Sequence, residues 1–266
     1  MSEQILASAP AAGTSLSSPG LDVVRNWFAS RNWQPFPFQE EAWAAYRAGA
    51  HGLIHAPTGM GKSYAAWLGP ISAWIDEHPD PQQWPRQAPP LQVLWLTPLR
   101  ALAGDTAENL LDAVLGLGLP WSVELRTGDT SSTVKQRQRQ SLPTALVTTP
   151  ESLTLMLSYP EARTLFANLR TIVVDEWHEL MGSKRGVQTE LALARLRTWH
   201  PDLRVWGLSA TLGNLPTALN VLAPPPTNNG GESKSDTPYD ARLISADLLK
   251  TIEIDTLIPE NIERFP

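Results

Sequence analysis

The stretch Gly52-Leu-Ile-His-Ala-Pro-Thr-Gly-Met-Gly-Lys-Ser63 decides the fold of this chain. Its apolar start predicts a short buried strand, and its glycines predict a tight turn that opens a helix. Such a turn, ending in a lysine and a hydroxyl residue, can cradle phosphate groups through inward-pointing backbone N–H groups. Ala56 stands where the strict pattern has glycine, so a glycine-rich turn around a buried lysine stem also stays open at this point.

Outward from this stretch, short apolar segments alternate with helical ones. The further predicted strands are Val93–Leu96, Ser122–Leu125, Ala145–Thr148, Thr171–Asp175 and Val205–Ser209. Helices are predicted over Leu21–Ser30 and Glu40–Ala48, before the first strand. This alternation predicts an α/β fold, a mostly parallel sheet with helices on both faces. Ligands of such sheets bind at the carboxyl ends of the strands.

Bulk composition narrows the class of protein. The 266 residues are 42% hydrophobic, which suffices for a full core, and their formal charge of −6 gives no general attraction to polyanions. No apolar run approaches the ~18 residues of a membrane span, and without cysteine neither disulfides nor thiolate chemistry are available. We expect a cytoplasmic protein with no membrane partner.

The two ends of the chain differ in composition from its middle. Residues 1–20 are rich in Ala, Ser and Pro and are expected to form a disordered leader. The principal domain is predicted over 21–223, and the Pro-, Asn- and Ser-rich segment 224–241 is expected to be a flexible loop. Residues 242–266 then form a predicted connector, in which 251–257 alternates like an edge strand.

A predicted strand that ends Val173-Val-Asp-Glu176 places two carboxylates at its carboxyl end. After a phosphate-binding loop, Asp175 would hold Mg²⁺ together with Ser63, and Glu176 would act as general base on the attacking water. Lys62 would neutralise the β and γ oxygens of the nucleotide. Taken alone, an Asp-Glu pair at a strand end favours a capping or solvated role, but its position after the loop favours catalysis.

The last strand ends in Ser209-Ala-Thr211. The hydroxyls of Ser209 and Thr211 are placed to hydrogen-bond the acid pair and to sense the γ-phosphate. The alternative is an ordinary N-cap of a helix that covers residues 214–222. Both interpretations stay open on these residues alone.

Read in order, these motifs resemble the first RecA-like domain of superfamily-two DEAH/DExH helicases. The matching residues are Gln39, Ala56–Ser63, Thr97-Pro-Leu-Arg-Ala-Leu102, Thr148-Thr-Pro-Glu151, Asp175-Glu-Trp-His178 and Ser209-Ala-Thr211. The run Val174–Val187 most resembles the Lhr family, especially its ligase-associated DNA-repair branch. The resemblance spans Trp33–Leu222 and implies an ATP-dependent, Mg²⁺-requiring helicase or translocase that moves 3′ to 5′ on DNA.

By this resemblance, Gln39 reads the adenine edge while Phe36 or Trp33 stacks on the base; core packing is the alternative for both aromatic residues. His178 is implied to couple the nucleotide to Ser209 and Thr211, although a lone histidine is often structural. The loop residues implied to hold ATP are Thr58, Gly59, Met60, Gly61, Lys62 and Ser63.

The resemblance also implies that Thr97, Arg100 and Thr149 face a nucleic-acid strand, with Thr127 and Gly128 in a loop beside it. For Arg100 a solvated or salt-bridged role is equally open. The basic run over 135–140 spreads its charges around a helix and is expected to be a solvated surface.

Helicases of this kind bind ATP between two RecA-like domains, the second of which supplies arginine fingers. Nothing after Leu222 resembles that domain, so we expect a fragment with weak activity of its own. The expected partners are single-stranded or tailed duplex DNA, with an RNA–DNA hybrid as an alternative, and a second RecA-like domain of the same polypeptide. A nucleotide- or partner-binding domain without turnover stays open; a small-molecule P-loop kinase would need neither Glu176 nor Ser209–Thr211.

Overall fold

The computed structural model describes residues 18–224 and 239–246. Its strands are β1 (His51–His55), β2 (Val93–Leu96), β3 (Val123–Arg126), β4 (Ala145–Thr148), β5 (Thr171–Val174), β6 (Arg204–Ser209) and β7 (Ala241–Ser245). Its α-helices are α1 (Pro19–Ser30), α2 (Pro37–Arg47), α3 (Lys62–Glu77), α4 (Arg100–Gly116), α5 (Ser132–Gln140), α6 (Pro150–Leu157), α7 (Ala162–Leu165), α8 (Trp177–Leu180), α9 (Lys184–Trp199) and α10 (Leu215–Leu222). Most of the predicted leader, most of the loop over 224–241 and the connector after residue 246, including 251–257, lie outside the described residues.

The seven strands form one sheet in the order β3-β4-β2-β5-β6-β1-β7, and every neighbouring pair is parallel. Alternate residues of β2 enter opposite layers of the core. Val93 and Trp95 pack with α1, α2, α3 and α4, whereas Leu94 and Leu96 pack with α6, α8, α9 and α10. Burial on both faces explains why the central strands β2, β4 and β5 are almost entirely apolar. The predicted parallel sheet with helices on both faces is confirmed.

Strand β7 is an element that the sequence analysis did not predict. It pairs with β1 alone, and only Ile244 of its five residues is buried. The backbone continues the pairing at both ends, because His51 N donates to Asp240 O at 2.8 Å and Ala246 N donates to His55 O at 2.9 Å. The sequence of β7, Ala-Arg-Leu-Ile-Ser, lacks the apolar run that marks β2, β4 and β5.

Because all strands run the same way, their carboxyl ends meet along one edge of the sheet. The turns after β1, β5 and β6 lie in one half of this edge, and the turns after β2, β3 and β4 lie in the other half. These two groups of turns carry the motifs singled out in the sequence after β1, whereas Gln39 lies at the start of α2. No helix within residues 18–224 and 239–246 has the length and apolar character to cross a membrane.

Candidate functional site

The turn between β1 and α3 has the backbone of a phosphate-binding loop. Gly59 and Gly61 have φ of 82° and 76°, in the left-handed region that favours glycine. Gly61 is the N-cap of α3, so the amino end of that helix faces the loop. Thr58 and Gly59 are exposed at the lip, and Met60 and Ser63 are half-buried. Free N–H groups at a helix amino end attract anions.

Lys62 lies inside this loop. Its side chain is buried, and Nζ donates to Ala56 O at 2.8 Å and to Pro57 O at 3.2 Å. Burial lowers the pKa of Lys62, and the negative charges of Glu176 and Asp175 oppose that shift. The lysine ammonium therefore interacts electrostatically with the acid pair, and its predicted contact with the β and γ oxygens of the nucleotide stays a prediction.

The acid pair forms a tight turn directly after β5. Asp175 Oδ2 accepts a hydrogen bond from Trp95 Nε1 at 3.2 Å, and Asp175 Oδ1 accepts one from Glu176 N at 2.9 Å. Burial, and then the charge of Glu176, raise the pKa of Asp175 to about 6. Sequence reasoning missed Trp95, although its position on β2, the strand beside β5, places it next to the acid.

Glu176 adopts a strained backbone conformation at the N-cap of α8. Its φ is 44°, and Asn32 is the other non-glycine residue with positive φ in residues 18–224 and 239–246. Its Oε2 is buried without a hydrogen bond, 3.4 Å from His178 Nδ1. Strained residues and unsatisfied buried polar atoms concentrate at functional sites.

His178 connects the acid turn to the end of β6. Its Nδ1 lies 3.1 Å from Oγ of Ser209, a fully buried residue. Thr211 is exposed. The N-cap of α10 is Asn214, whose Oδ1 accepts from Thr217 N at 3.1 Å, so the alternative that Ser209 or Thr211 caps this helix is wrong.

A cleft of about 380 Å³ opens beside the loop. Its lining residues are Phe28, Trp33, Gln34, Phe36, Gln39, Gly59, Met60, Gly61 and Tyr64. Trp33 and Phe36 are 41% and 36% exposed, so neither is a core residue. Tyr64, which the sequence analysis did not assign, shares the cleft with them.

Gln39 forms the wall between this cleft and the loop. It is only 2% exposed. Its Oε1 accepts from Phe36 N at 2.9 Å, and its Nε2 donates to Gly61 O at 3.0 Å. The amide thus ties the start of α2 to the end of the loop. An amide has further donor and acceptor capacity beyond these two bonds.

The threonines predicted to face nucleic acid are more buried than expected. Thr97, Thr127 and Thr149 are all buried, and each side-chain oxygen accepts from a nearby backbone N–H: Leu99 N at 3.3 Å, Asp129 N at 3.2 Å and Ser152 N at 3.4 Å. The last bond caps α6. These hydroxyls hold the shape of the turns, and their contact with nucleic acid stays a prediction.

Arg100 is exposed at the start of α4, and its guanidinium packs against Gly128. Lys135 Nζ donates to Gly128 O at 2.7 Å from the other side. Farther along the basic run of α5, Arg137 and Arg139 are exposed and form ion pairs with Glu124 at 2.6 Å and Glu161 at 2.9 Å. Lys135 therefore differs from the rest of that run, because it supports the predicted nucleic-acid turn.

A glycine loop around a buried lysine, an Asp–Glu turn two strands away and a parallel sheet covered on both faces define a P-loop domain of RecA-like architecture. Residues 36–218 match the family model of the DEAD/DEAH box helicases, and this chain belongs to that family. The resemblance predicted from the motifs is thereby confirmed.

Similar proteins include Lhr helicases. The chain is 39% identical over 203 residues to a Lhr helicase and probable uracil glycosylase of Mycolicibacterium smegmatis, covering 71% of this chain and 13% of that protein. It is 32% identical over 243 residues to the ATP-dependent helicase Lhr-Core protein 2 of Thermococcus barophilus, covering 88% and 27%. The structure of Mycobacterium smegmatis helicase Lhr bound to ssDNA and AMP-PNP superposes with a TM-score of 0.70 at 33% identity, covering 87% and 28%. The chain thus spans well under a third of each of these proteins.

Proposed function

We propose that this chain is the ATP-binding motor domain of a DNA helicase or translocase. The observation that carries the proposal is the turn formed by Asp175 and Glu176. Glu176 interacts electrostatically with Lys62 and lies beside His178. A similar helicase has been seen with both ssDNA and AMP-PNP. Lys62, Asp175 and Glu176 are the proposed catalytic residues.

The donor set of this site fits Mg²⁺. Ser63, in the first turn of α3, offers a hydroxyl oxygen, and Asp175 offers a carboxylate; hard oxygen donors are those that Mg²⁺ prefers. Burial raises the pKa of Asp175, so a cation nearby would favour its charged form. Bound with ATP, Mg²⁺ would supply positive charge that neutralises the phosphate oxygens.

Glu176 is the proposed general base. Its buried Oε2 accepts no hydrogen bond and is therefore available to take a proton from an attacking water. Lys62 would move from the carbonyls of Ala56 and Pro57 to the β and γ oxygens. The loop amides and the amino end of α3 would hold the rest of the phosphate chain.

The cleft beside Gln39 is the proposed adenine site. Phe36 and Trp33 are exposed enough to stack on a base, and the amide of Gln39 has capacity left for its edge. The contact of His178 with Ser209 would report the state of the acid turn to the end of β6, with Thr211 beyond it.

The other half of the sheet edge is the proposed nucleic-acid surface, formed by Thr97, Arg100, Thr127, Gly128 and Thr149. Its proposed ligand is single-stranded or tailed duplex DNA, with an RNA–DNA hybrid as the alternative.

A second RecA-like domain of the same polypeptide would complete the ATP site with arginines. We propose 3′-to-5′ movement in DNA repair, in the cytoplasm, from the similarity to Lhr helicases.

The test is ATP binding and hydrolysis by the 266-residue chain, with and without single-stranded DNA. We expect ATP binding and slow hydrolysis in the wild type. Glu176→Gln should keep ATP affinity while losing hydrolysis by at least about 100-fold, a loss typical for a general base. Lys62→Ala should lose ATP affinity in addition to hydrolysis.

Hydrolysis that is equal in Glu176→Gln and wild type would exclude Glu176 as the base. If the wild type binds ATP but does not hydrolyse it, with or without DNA, a second candidate function is favoured. That candidate is a nucleotide-binding domain that depends on another domain for catalysis.

A further inference from the structure

A second open cleft lies at the carboxyl ends of β2 and β4, in the half of the edge away from the phosphate loop. Its volume is about 470 Å³. Its lining residues are Pro98, Leu99, Arg100, Ala101, Glu151 and Arg185. Arg185 is not among the residues that the motifs assign to nucleic acid, yet it shares this cleft with Arg100, which is.

Arg185 is held in a fixed plane by Glu151. Its Nε donates to Glu151 Oε1 at 2.6 Å, and its Nη2 donates to Oε2 at 3.3 Å. A guanidinium has five N–H donors, so two serve the carboxylate and three remain. The two side chains are 35% and 41% exposed, so the remaining donors can reach a ligand in the cleft.

The cleft keeps a net positive charge. Burial would raise the pKa of Glu151, but its hydrogen bonds, that from Arg185 foremost, lower it, so Glu151 stays ionised and balances one arginine. The guanidinium of Arg100 forms neither a hydrogen bond nor an ion pair with any residue of the described chain. Leu99, 40% exposed, adds apolar surface beside these charges. One free positive charge, two guanidinium planes and an apolar wall suit a nucleic-acid backbone.

We propose that Arg185 and Arg100 together bind one backbone phosphate of the nucleic-acid strand, and that Glu151 orients Arg185 for this contact. The inference rests on the proposed function and adds a phosphate ligand to its nucleic-acid surface. Arg185 is in the first turn of α9, which follows the acid turn through α8. The strand would therefore touch the segment that carries Glu176 as well as the turns after β2 and β4.

The experiment measures binding of a fluorescein-labelled oligo(dT) strand to the 266-residue chain by anisotropy over a series of salt concentrations. Each phosphate neutralised on a single strand contributes about 0.7 to the slope of log K against log salt. Arg185→Gln leaves the charge of Arg100 balanced by Glu151, so it should weaken binding by roughly tenfold and lower that slope by about 0.7. Glu151→Gln breaks the same ion pair but removes no cation, so its slope should not fall.

Arg185→Met, which keeps the aliphatic stem, is the second variant should Arg185→Gln fold poorly; thermal unfolding checks both. An unchanged slope in Arg185→Gln or Arg185→Met would overturn the proposal. So would an equal fall in Glu151→Gln, because the ion pair would then act only through the structure.

Arg100→Gln separates this inference from the proposed function. If Arg100→Gln lowers the slope and the Arg185 variants do not, only the role of Arg185 is wrong. If the wild type does not bind the oligonucleotide, or if Arg100→Gln changes nothing, the nucleic-acid surface itself is wrong, and the inference fails with it.

Discussion

At the residue scale, Glu176 combines strain with function. A left-handed φ of 44° costs a non-glycine residue roughly 1 kcal/mol. The same turn lets Glu176 N donate to Asp175 Oδ1 and leaves Glu176 Oε2 buried beside His178. The geometry that places the proposed base thus opposes the stability of the domain.

Replacing this residue by glycine should separate the two properties. Glu176→Gly removes the strain and the unsatisfied buried oxygen, so we expect the free energy of unfolding to rise by about 1 kcal/mol while hydrolysis is lost. Urea denaturation followed by circular dichroism measures the first, and a phosphate-release assay measures the second. Glu179→Gly, in the ordinary backbone of α8, is the matched control and should destabilise. A loss of stability in Glu176→Gly would contradict the account of strain.

The sequence pattern suggested candidate nucleotide-site residues but few of the side chains that contact them. Lys62, Asp175 and Ser209 were singled out because the loop after β1, the turn after β5 and the end of β6 follow apolar runs, and parallel strands bring their carboxyl ends together. Trp95 and Arg185 were not found, because an indole on a neighbouring strand and an arginine on α9 meet their carboxylates only through the tertiary fold. Pattern alone cannot supply such pairings.

At the element scale, the phosphate loop and α2 form one unit. Gln39 bonds to the backbone at Phe36 and at Gly61. Gly61 is restricted twice, by its φ of 76° and because a Cβ there would lie 2.7 Å from Gln39 Nε2. The loop conformation therefore depends on a side chain from a different helix.

Gly61→Ala should consequently cost more than backbone strain. We expect a loss of 2–3 kcal/mol in unfolding free energy, of which about 1 kcal/mol is the left-handed conformation, together with at least about a tenfold loss of ATP affinity. Gly118→Ala is the matched control, since Gly118 has φ of 66° and no atom within 4 Å of its Cβ position. Denaturation and nucleotide titration of both variants provide the measurement. Equal losses of unfolding free energy and of ATP affinity in the two variants would show that the contact with Gln39 does not contribute.

Strand β7 shows where element prediction from sequence stops. The apolar segments of the six other strands were predicted within one or two residues, and β2, β4 and β5 are buried throughout. β7 pairs on one side only and buries Ile244 alone, so its sequence is indistinguishable from that of a loop. Strand β7 forms because the backbone N–H and C=O groups of β1 on that side need hydrogen-bond partners, and no local sequence pattern predicts such a pairing.

At the scale of the whole molecule, the strand order places two clefts along one edge. β5 carries the acid turn and is the neighbour of β2, whose carboxyl end borders the second cleft. The proposed ATP site and the proposed nucleic-acid surface therefore meet at the boundary between β5 and β2. The chain from Glu176 through α8 to the first turn of α9, which carries Arg185, crosses that boundary.

A nucleotide that binds only the folded state should stabilise the whole domain. At 100 times its Kd, AMP-PNP with Mg²⁺ adds about 2.7 kcal/mol, which raises Tm by roughly 5–10 °C for a domain of this size. We expect most of that shift in Tm to be lost when EDTA replaces Mg²⁺. The same loss is expected for Ser63→Ala and Asp175→Asn with Mg²⁺ present, because these two side chains are the proposed oxygen donors. Thr130→Ala, remote from the phosphate loop in the turn after β3, should keep the full shift. If EDTA and both variants left the shift intact, the nucleotide would bind without the cation, and the assignment of Ser63 and Asp175 to Mg²⁺ would be wrong.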